Sequence, residues 1–178
     1  MVRIFAHRSL HGTGSFLALG VLRGSRRRLT GLAMYPGLCE TRCRRWTDRR
    51  IEVRRSPLRV LVVDDYREAA EGLTAYLSLS GFHCNAAFSG TEAIAHVRRC
   101  CPDLILMDIA MPQCTGPQAA RALRKLPATS GLVIVAHTAL DEMEVRRQAR
   151  QSEFDGYFQK GQPVDRLANW ITGFASGL

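Results

Sequence analysis

Lysine is missing from the first 57 residues, and no acidic residue precedes Glu40. That stretch holds 13 arginines against 3 acids, a balance of +10, whereas residues 58–178 carry 12 basic and 13 acidic side chains, a balance of −1. The high isoelectric point therefore belongs to the N-terminal segment and says nothing about the remainder. No apolar run approaches the roughly 18 residues of a membrane span. The run from Phe16 to Leu22 is short and leads into Arg23 and Arg26–Arg28 instead of a small-residue cleavage site, so it makes a poor secretory signal. Arginine without acid does fit the composition of an organellar transit peptide, a reading that composition alone supports. Cys39 and Cys43 lack a second ligand pair or a His at zinc-finger spacing, and the other cysteines, Cys84, Cys100, Cys101 and Cys114, are irregularly placed. Neither a zinc site nor a disulfide framework is expected, and a reducing, cytoplasmic compartment is. No Gly-Lys-Ser/Thr occurs, which excludes a nucleotide-binding P-loop.

The character of the chain changes near Ser56–Pro57. Residues 1–56 mix Gly, Arg and scattered apolar residues without a sustained period, and are expected to form a disordered extension; residues 57–178 are expected to form one domain. Clustered Arg also suits a nucleic-acid-binding arm, but no recognition motif accompanies it and Trp46 is the segment's only Trp. Nucleic acid and membrane are therefore not expected as partners. The segment also reads as upstream sequence, with Met34 or Val53 as the true start.

Beyond the boundary, apolar blocks alternate with turn residues. Leu58–Val63 is a β-branched run suited to a strand buried on both faces. Ala69, Leu73, Tyr76 and Leu77 give helical spacing over Tyr66–Ser80, which Gly81 stops. Phe82–Phe88 reads as a second strand, and Ser89-Gly-Thr-Glu92 as a capping box opening a helix through Arg99. Leu104–Met107 is the third strand, followed by a helix from Gly116 to about Lys125. Leu132–Ala136 is the fourth, followed by a charged helix from Asp141 to Gln151. Gly156–Gln159 is a short fifth strand, and Pro163 opens a last helix running to Ile171. Five strands alternating with five helices imply an α/β fold, a doubly wound parallel sheet with helices on both faces.

In such folds ligands sit outside the carboxyl ends of the strands. Asp64 and Asp65 follow the first strand, and Asp108 follows the third. Carboxylates gathered in one crevice repel unless a cation joins them, and oxygen ligands suit Mg²⁺. Thr138 and Lys160 end the next two strands, adding a hydroxyl and an ammonium. Taken singly, each residue except Asp108 has an ordinary reading as a turn, a cap or a solvated side chain. Together they supply a nucleophilic carboxylate, a cationic side chain, a hydrogen-bond donor and a divalent-ion site, which is what phosphoryl handling needs.

Val62-Val-Asp-Asp65, Leu106-Met-Asp-Ile-Ala-Met-Pro112 with Gly116, His137-Thr-Ala139 and Asp155-Gly-Tyr-Phe-Gln-Lys160 stand in that order. With these four motifs the stretch 58–173 resembles the receiver domain of two-component response regulators. The resemblance implies a flavodoxin-like strand order, 2-1-3-4-5. It implies that Asp108 takes a phosphoryl group from a histidine kinase or histidine phosphotransfer protein, and that Asp64, Asp65, Asp108 and the Ala110 backbone carbonyl hold Mg²⁺. Lys160 would pair with phosphoryl oxygens, Thr138 would be drawn toward them, and Tyr157 would rotate inward behind Thr138. The face made by the fourth helix, fifth strand and fifth helix would meet a downstream protein.

The motifs depart from the family pattern at four positions. Gly161 replaces the usual Pro after Lys160, and a trans bond is expected there because a cis bond without Pro costs about 3 kcal/mol. Phe154 replaces a small residue and is expected to repack the start of the fifth strand. Leu140 and Ala110 offer nothing polar to orient an attacking water, so a long-lived phosphoryl-Asp108 is expected. The chain is read as a signalling switch and not as an enzyme: Ala110 stands where a nucleophilic-Asp hydrolase would need its general acid. No output domain is expected after the last helix, so the expected mode is partner contact or relay of the phosphoryl group. The competing reading is an interaction module with a vestigial pocket, independent of phosphorylation.

Overall fold

The computed structural model describes residues 42–52, 56–150 and 152–176. Short strands β1 (Cys43–Arg45) and β2 (Ile51–Glu52) come first, then β3 (Arg59–Val63), α1 (Arg67–Leu79), β4 (His83–Ala87), α2 (Gly90–Arg99) and β5 (Leu104–Met107). The chain continues through α3 (Gly116–Arg124), β6 (Val133–Thr138), α4 (Glu142–Gln148), β7 (Gly156–Gln159), α5 (Val164–Thr172) and β8 (Ala175–Ser176). Strands β4, β3, β5, β6 and β7 lie parallel in that spatial order. This is the expected flavodoxin-like 2-1-3-4-5 arrangement.

The central strands are apolar throughout because both their faces are covered. Side chains alternate across the sheet with period two. Leu61, Val63, Ile105, Met107, Ile134, Ala136 and Tyr157 join one core layer, with residues of α2, α3 and α4. Val60, Val62, Leu104, Leu106, Val133, Val135 and Phe158 join the other, with residues of α1 and α5. Phe154, the bulky residue before β7, is fully buried in the first layer. Gly81 takes a left-handed φ of 93°, which is why the chain can turn sharply after α1.

The helix starts refine the expected boundaries. Ser89 Oγ accepts from the Glu92 N–H (3.1 Å), but the Glu92 carboxylate accepts from the Phe88 N–H (2.8 Å) and not from that of Ser89. Thr115 and Gln118 form a full capping box ahead of α3, and Asp141 caps α4 through the Glu144 N–H. Strand β6 runs two residues beyond the expected end, to Thr138, and α4 stops at Gln148, short of Gln151.

One edge of the sheet carries an addition to the expected fold. The five parallel strands stand as expected, and β1, from before residue 56, pairs antiparallel with β7 as a sixth strand that the sequence did not announce. Strand β2 pairs parallel with β8, past the last helix. Backbone pairing and polar side chains, not an apolar period, hold this stretch. Arg45 lies 4.1 Å above the Phe174 ring and donates to the Gly173 carbonyl. The Trp46 backbone N–H and the Thr47 hydroxyl both donate to Asp155 (2.8 Å each), to its carbonyl and its carboxylate respectively. The expected disorder of the rest of the extension falls on residues 1–41, outside the described residues.

Candidate functional site

The acidic cluster is assembled by backbone ladders at the carboxyl ends of β3 and β5. The Asp64 N–H donates to the Ala87 carbonyl (3.1 Å), and the Asp108 N–H donates to the Val63 carbonyl (2.9 Å), so sheet pairing continues one residue into each acid. The loop after Asp108 is held by a close approach of α3. A Cβ built on Gly116 would lie 2.1 Å from the Asp108 carbonyl oxygen, and the Gly116 N–H donates to the Ile109 carbonyl. Only glycine fits there, which accounts for Gly116 in the motif.

Asp64 and Asp108 are 3% and 8% exposed, whereas Asp65 faces solvent. Oxygens of all three carboxylates lie within 4.8 Å of one another. Lys160 reaches into the cluster from the end of β7, with Nζ 2.7 Å from Asp64 Oδ2 and 2.8 Å from Asp108 Oδ2. Burial lowers the Lys160 pKa, but the Asp108 and Asp64 carboxylates outweigh it and hold the ammonium above the ordinary lysine value. The remaining oxygens are anchored: Asp108 Oδ1 accepts from the Ile109 N–H (2.7 Å), and Asp64 Oδ1 from the Tyr66 N–H (3.1 Å).

Lys160 is directed despite the missing proline. Among the described residues the only cis bond is Ser56–Pro57, so Lys160–Gly161 is trans, as expected. Gly161 takes φ +83°, a turn that glycine makes without a Cβ penalty, and the Lys160 N–H donates to the Thr138 carbonyl. Thr138 is buried, its hydroxyl accepting from the Leu140 N–H at 3.4 Å, with Ala139 exposed beside it. Ala110 is exposed on the loop two residues past Asp108. Tyr157 is fully buried, and its hydroxyl donates to the Leu140 carbonyl (2.7 Å). Burial, with Asp141 and Glu142 nearby, pushes its pKa up to about 12. His137 is pushed down to about 4 by burial and by the Lys160 charge, against the pull of Asp108.

Two residues outside the expected set stand against this frame. Asp155, 1% exposed, accepts from the Ile134 N–H and pairs with Arg124 at 2.6 Å. Trp46 stacks on Tyr157 with 6.2 Å between centroids and 2° between planes. The isolated Trp in an Arg-rich stretch was the one available sign of it.

Three crowded carboxylates with one ammonium leave a net negative, hard-oxygen donor set, which suits Mg²⁺ better than a softer metal. A doubly wound parallel sheet with an acid crevice at its carboxyl edge defines the class. The model of the response regulator receiver domain matches residues 60–172, and the chain belongs to that family. It is therefore a receiver domain of two-component response regulators, a family of signalling switches. It is 33% identical over 110 residues to the response regulator MprA of Mycobacterium leprae, spanning 62% of this chain and 47% of that protein. It is 35% identical over 107 residues to the response regulator PleD of Caulobacter vibrioides, spanning 60% of this chain and 23% of that one. The chain thus spans half or less of the length of these relatives. The structure of the response regulator TrrA from Thermotoga maritima, in complex with Mg²⁺–BeF, superposes with a TM-score of 0.59 at 28% identity, covering 66% of this chain and 98% of that one.

Proposed function

We propose that the domain accepts a phosphoryl group on Asp108 from a phosphohistidine of a histidine kinase or histidine phosphotransfer protein, and passes the altered state to a protein partner. The observation that carries this reading is the Lys160 ammonium bound at once to Asp64 and Asp108, beside a third carboxylate. An ammonium shared between two acids is poised to transfer its hydrogen bonds to an arriving phosphoryl oxygen.

An Asp108 carboxylate oxygen attacks phosphorus, the P–N bond to the donor imidazole breaks, and the imidazole leaves with that bond's electron pair. Asp64, Asp65, Asp108 and the Ala110 carbonyl would hold Mg²⁺, which would supply charge neutralisation for the transferred oxygens. The Ile109 N–H keeps the attacking carboxylate oriented. The Thr138 hydroxyl, now occupied only by a long bond from Leu140, turns to donate to the phosphoryl group. Ala139 leaves the approach open. The buried position of Tyr157 behind Thr138 belongs to the same arrangement, so the phosphoryl contacts bias the equilibrium toward it.

TrrA, similar in fold and sequence, is described in complex with Mg²⁺ and a beryllofluoride, a ligand of the phosphoryl class. The compartment we assign is the cytoplasm, where Cys43, Cys84, Cys100, Cys101 and Cys114 stay as the free thiols they are here. Among the described residues no helix is long and apolar enough to cross a membrane. Incubation with acetyl phosphate and Mg²⁺ tests the reading. A mass gain of one phosphoryl group is expected for the wild type and none for Asp108→Asn; equal labelling of both, or of neither, overturns it in favour of a phosphorylation-independent module.

A further inference from the structure

The face formed by α4, β7 and α5 is occupied by the chain's own residues 42–47. Strand β1 takes the hydrogen bonds of the β7 edge, pairing Arg44 with Tyr157 and Cys43 with Phe158. Just beyond it, Trp46 lies parallel to the Tyr157 ring. Trp46 is itself partly exposed, so it stands on the solvent side of a ring that is fully buried. Its indole N–H donates to Glu142 at the start of α4 (3.0 Å), and the Arg146 guanidinium covers it at 4.3 Å. Glu142 is held in turn by Arg146 (2.9 Å). Tyr157 cannot swing toward solvent without expelling Trp46 from this seat.

The Tyr157 hydroxyl is bonded to the Leu140 carbonyl, and Leu140 is bonded through its N–H to the Thr138 hydroxyl. Trp46 is therefore linked to the pocket by contiguous contacts: Trp46 to Tyr157, Tyr157 to Leu140, Leu140 to Thr138, and Thr138 through its carbonyl to the Lys160 N–H. We propose that residues 42–47 are an internal strap whose Trp46 holds Tyr157 in its buried position, so that the domain is preset toward the arrangement that accepts a phosphoryl group and its α4–β7–α5 face is closed by its own chain. This rests on Asp108 being the phosphoacceptor and on buried Tyr157 accompanying loading. It adds that a segment outside the matched domain sets that equilibrium.

The two directions of such a linkage are equal in free energy. If Trp46 favours the loading arrangement, its removal lets Tyr157 populate other positions, and apparent affinity for a phosphoryl mimic falls by the fraction that remains competent. The test uses the full chain as wild type, Trp46→Ala and Trp46→Phe, the last keeping a ring but no donor to Glu142. Beryllofluoride binding in excess Mg²⁺ is measured by calorimetry, and hydrogen exchange is followed at the amides of Leu140, Glu144 and Val145. In the wild type these amides should be protected before ligand is added and change little after. Trp46→Ala should exchange faster at all three, regain protection on loading, and bind beryllofluoride at least about fivefold more weakly, the low end of ordinary coupling. Trp46→Phe should fall between. Unchanged exchange and affinity in Trp46→Ala overturn the strap. If even the wild type takes up no beryllofluoride, the phosphoacceptor reading fails instead, and exchange without ligand still decides whether Trp46 clamps Tyr157.

Discussion

At the scale of single residues, two titratable groups, one buried and one half-buried, carry consequences for stability. Asp155 is 1% exposed and bound by Arg124, Thr47 and the Ile134 N–H. Removing one member of a buried pair leaves the other charge uncompensated. Asp155→Ala should therefore cost about 3 kcal/mol, read from the urea midpoint at constant m. His137 is neutral in the fold, its pKa lowered to about 4 from 6.5. The unfolded chain then binds more protons between those values, so stability should fall as pH drops from 6.5 toward 4, by at most about 3 kcal/mol. His137→Gln should flatten that part of the stability–pH curve relative to the wild type. Leu140 bears on kinetics: its side chain packs at the margin of the core and presents nothing polar to water. Leu140→Glu should shorten the lifetime of phosphoryl-Asp108 by about tenfold, less than a well-placed general base achieves. An equal decay rate after acetyl phosphate is removed would contradict the long-lived intermediate.

Individual elements show why some of the structure was legible in the sequence and some was not. Leu58–Val63 and Leu104–Met107 announced β3 and β5 because strands covered on both faces must be apolar throughout. The cluster was legible for a related reason: Asp64, Asp108, Thr138 and Lys160 each end a strand, and the topology brings those ends together. The Thr115–Gln118 box escaped notice because Gly116-Pro117 already marked the helix start. Strand β1 was illegible because Cys43-Arg-Arg45 has no period, and its partners, Tyr157, Phe158 and Phe174, lie more than a hundred residues away. The turn after β7 depends on Gly161 at φ +83°. Gly161→Ala should cost about 1 kcal/mol and reduce acetyl-phosphate labelling of Asp108 by displacing Lys160, both measurable on one preparation.

For the molecule as a whole, the division of charge between the two halves of the chain takes on structural meaning. Part of the N-terminal arginine excess is spent within the protein: Arg44 faces Glu142, Arg49 faces Asp155, and Arg45 and Arg50 donate to the Gly173 carbonyl. These guanidinium groups cap acids and helix-end carbonyls of a domain that is itself close to neutral, so an excess that reads as a nucleic-acid arm serves docking here. Closing β7 with an antiparallel neighbour also leaves β4 as the other border of the six-stranded sheet. Unpaired strand borders recruit further strands. A polypeptide cut down to 60–172 would exchange the short, arginine-bearing border β1 for a bared β7, together with Tyr157 and the Asp155 carboxylate. Such a fragment should self-associate at concentrations where the intact chain sediments as a single species, and pairing seen between fragments would then reflect the cut and not the native molecule.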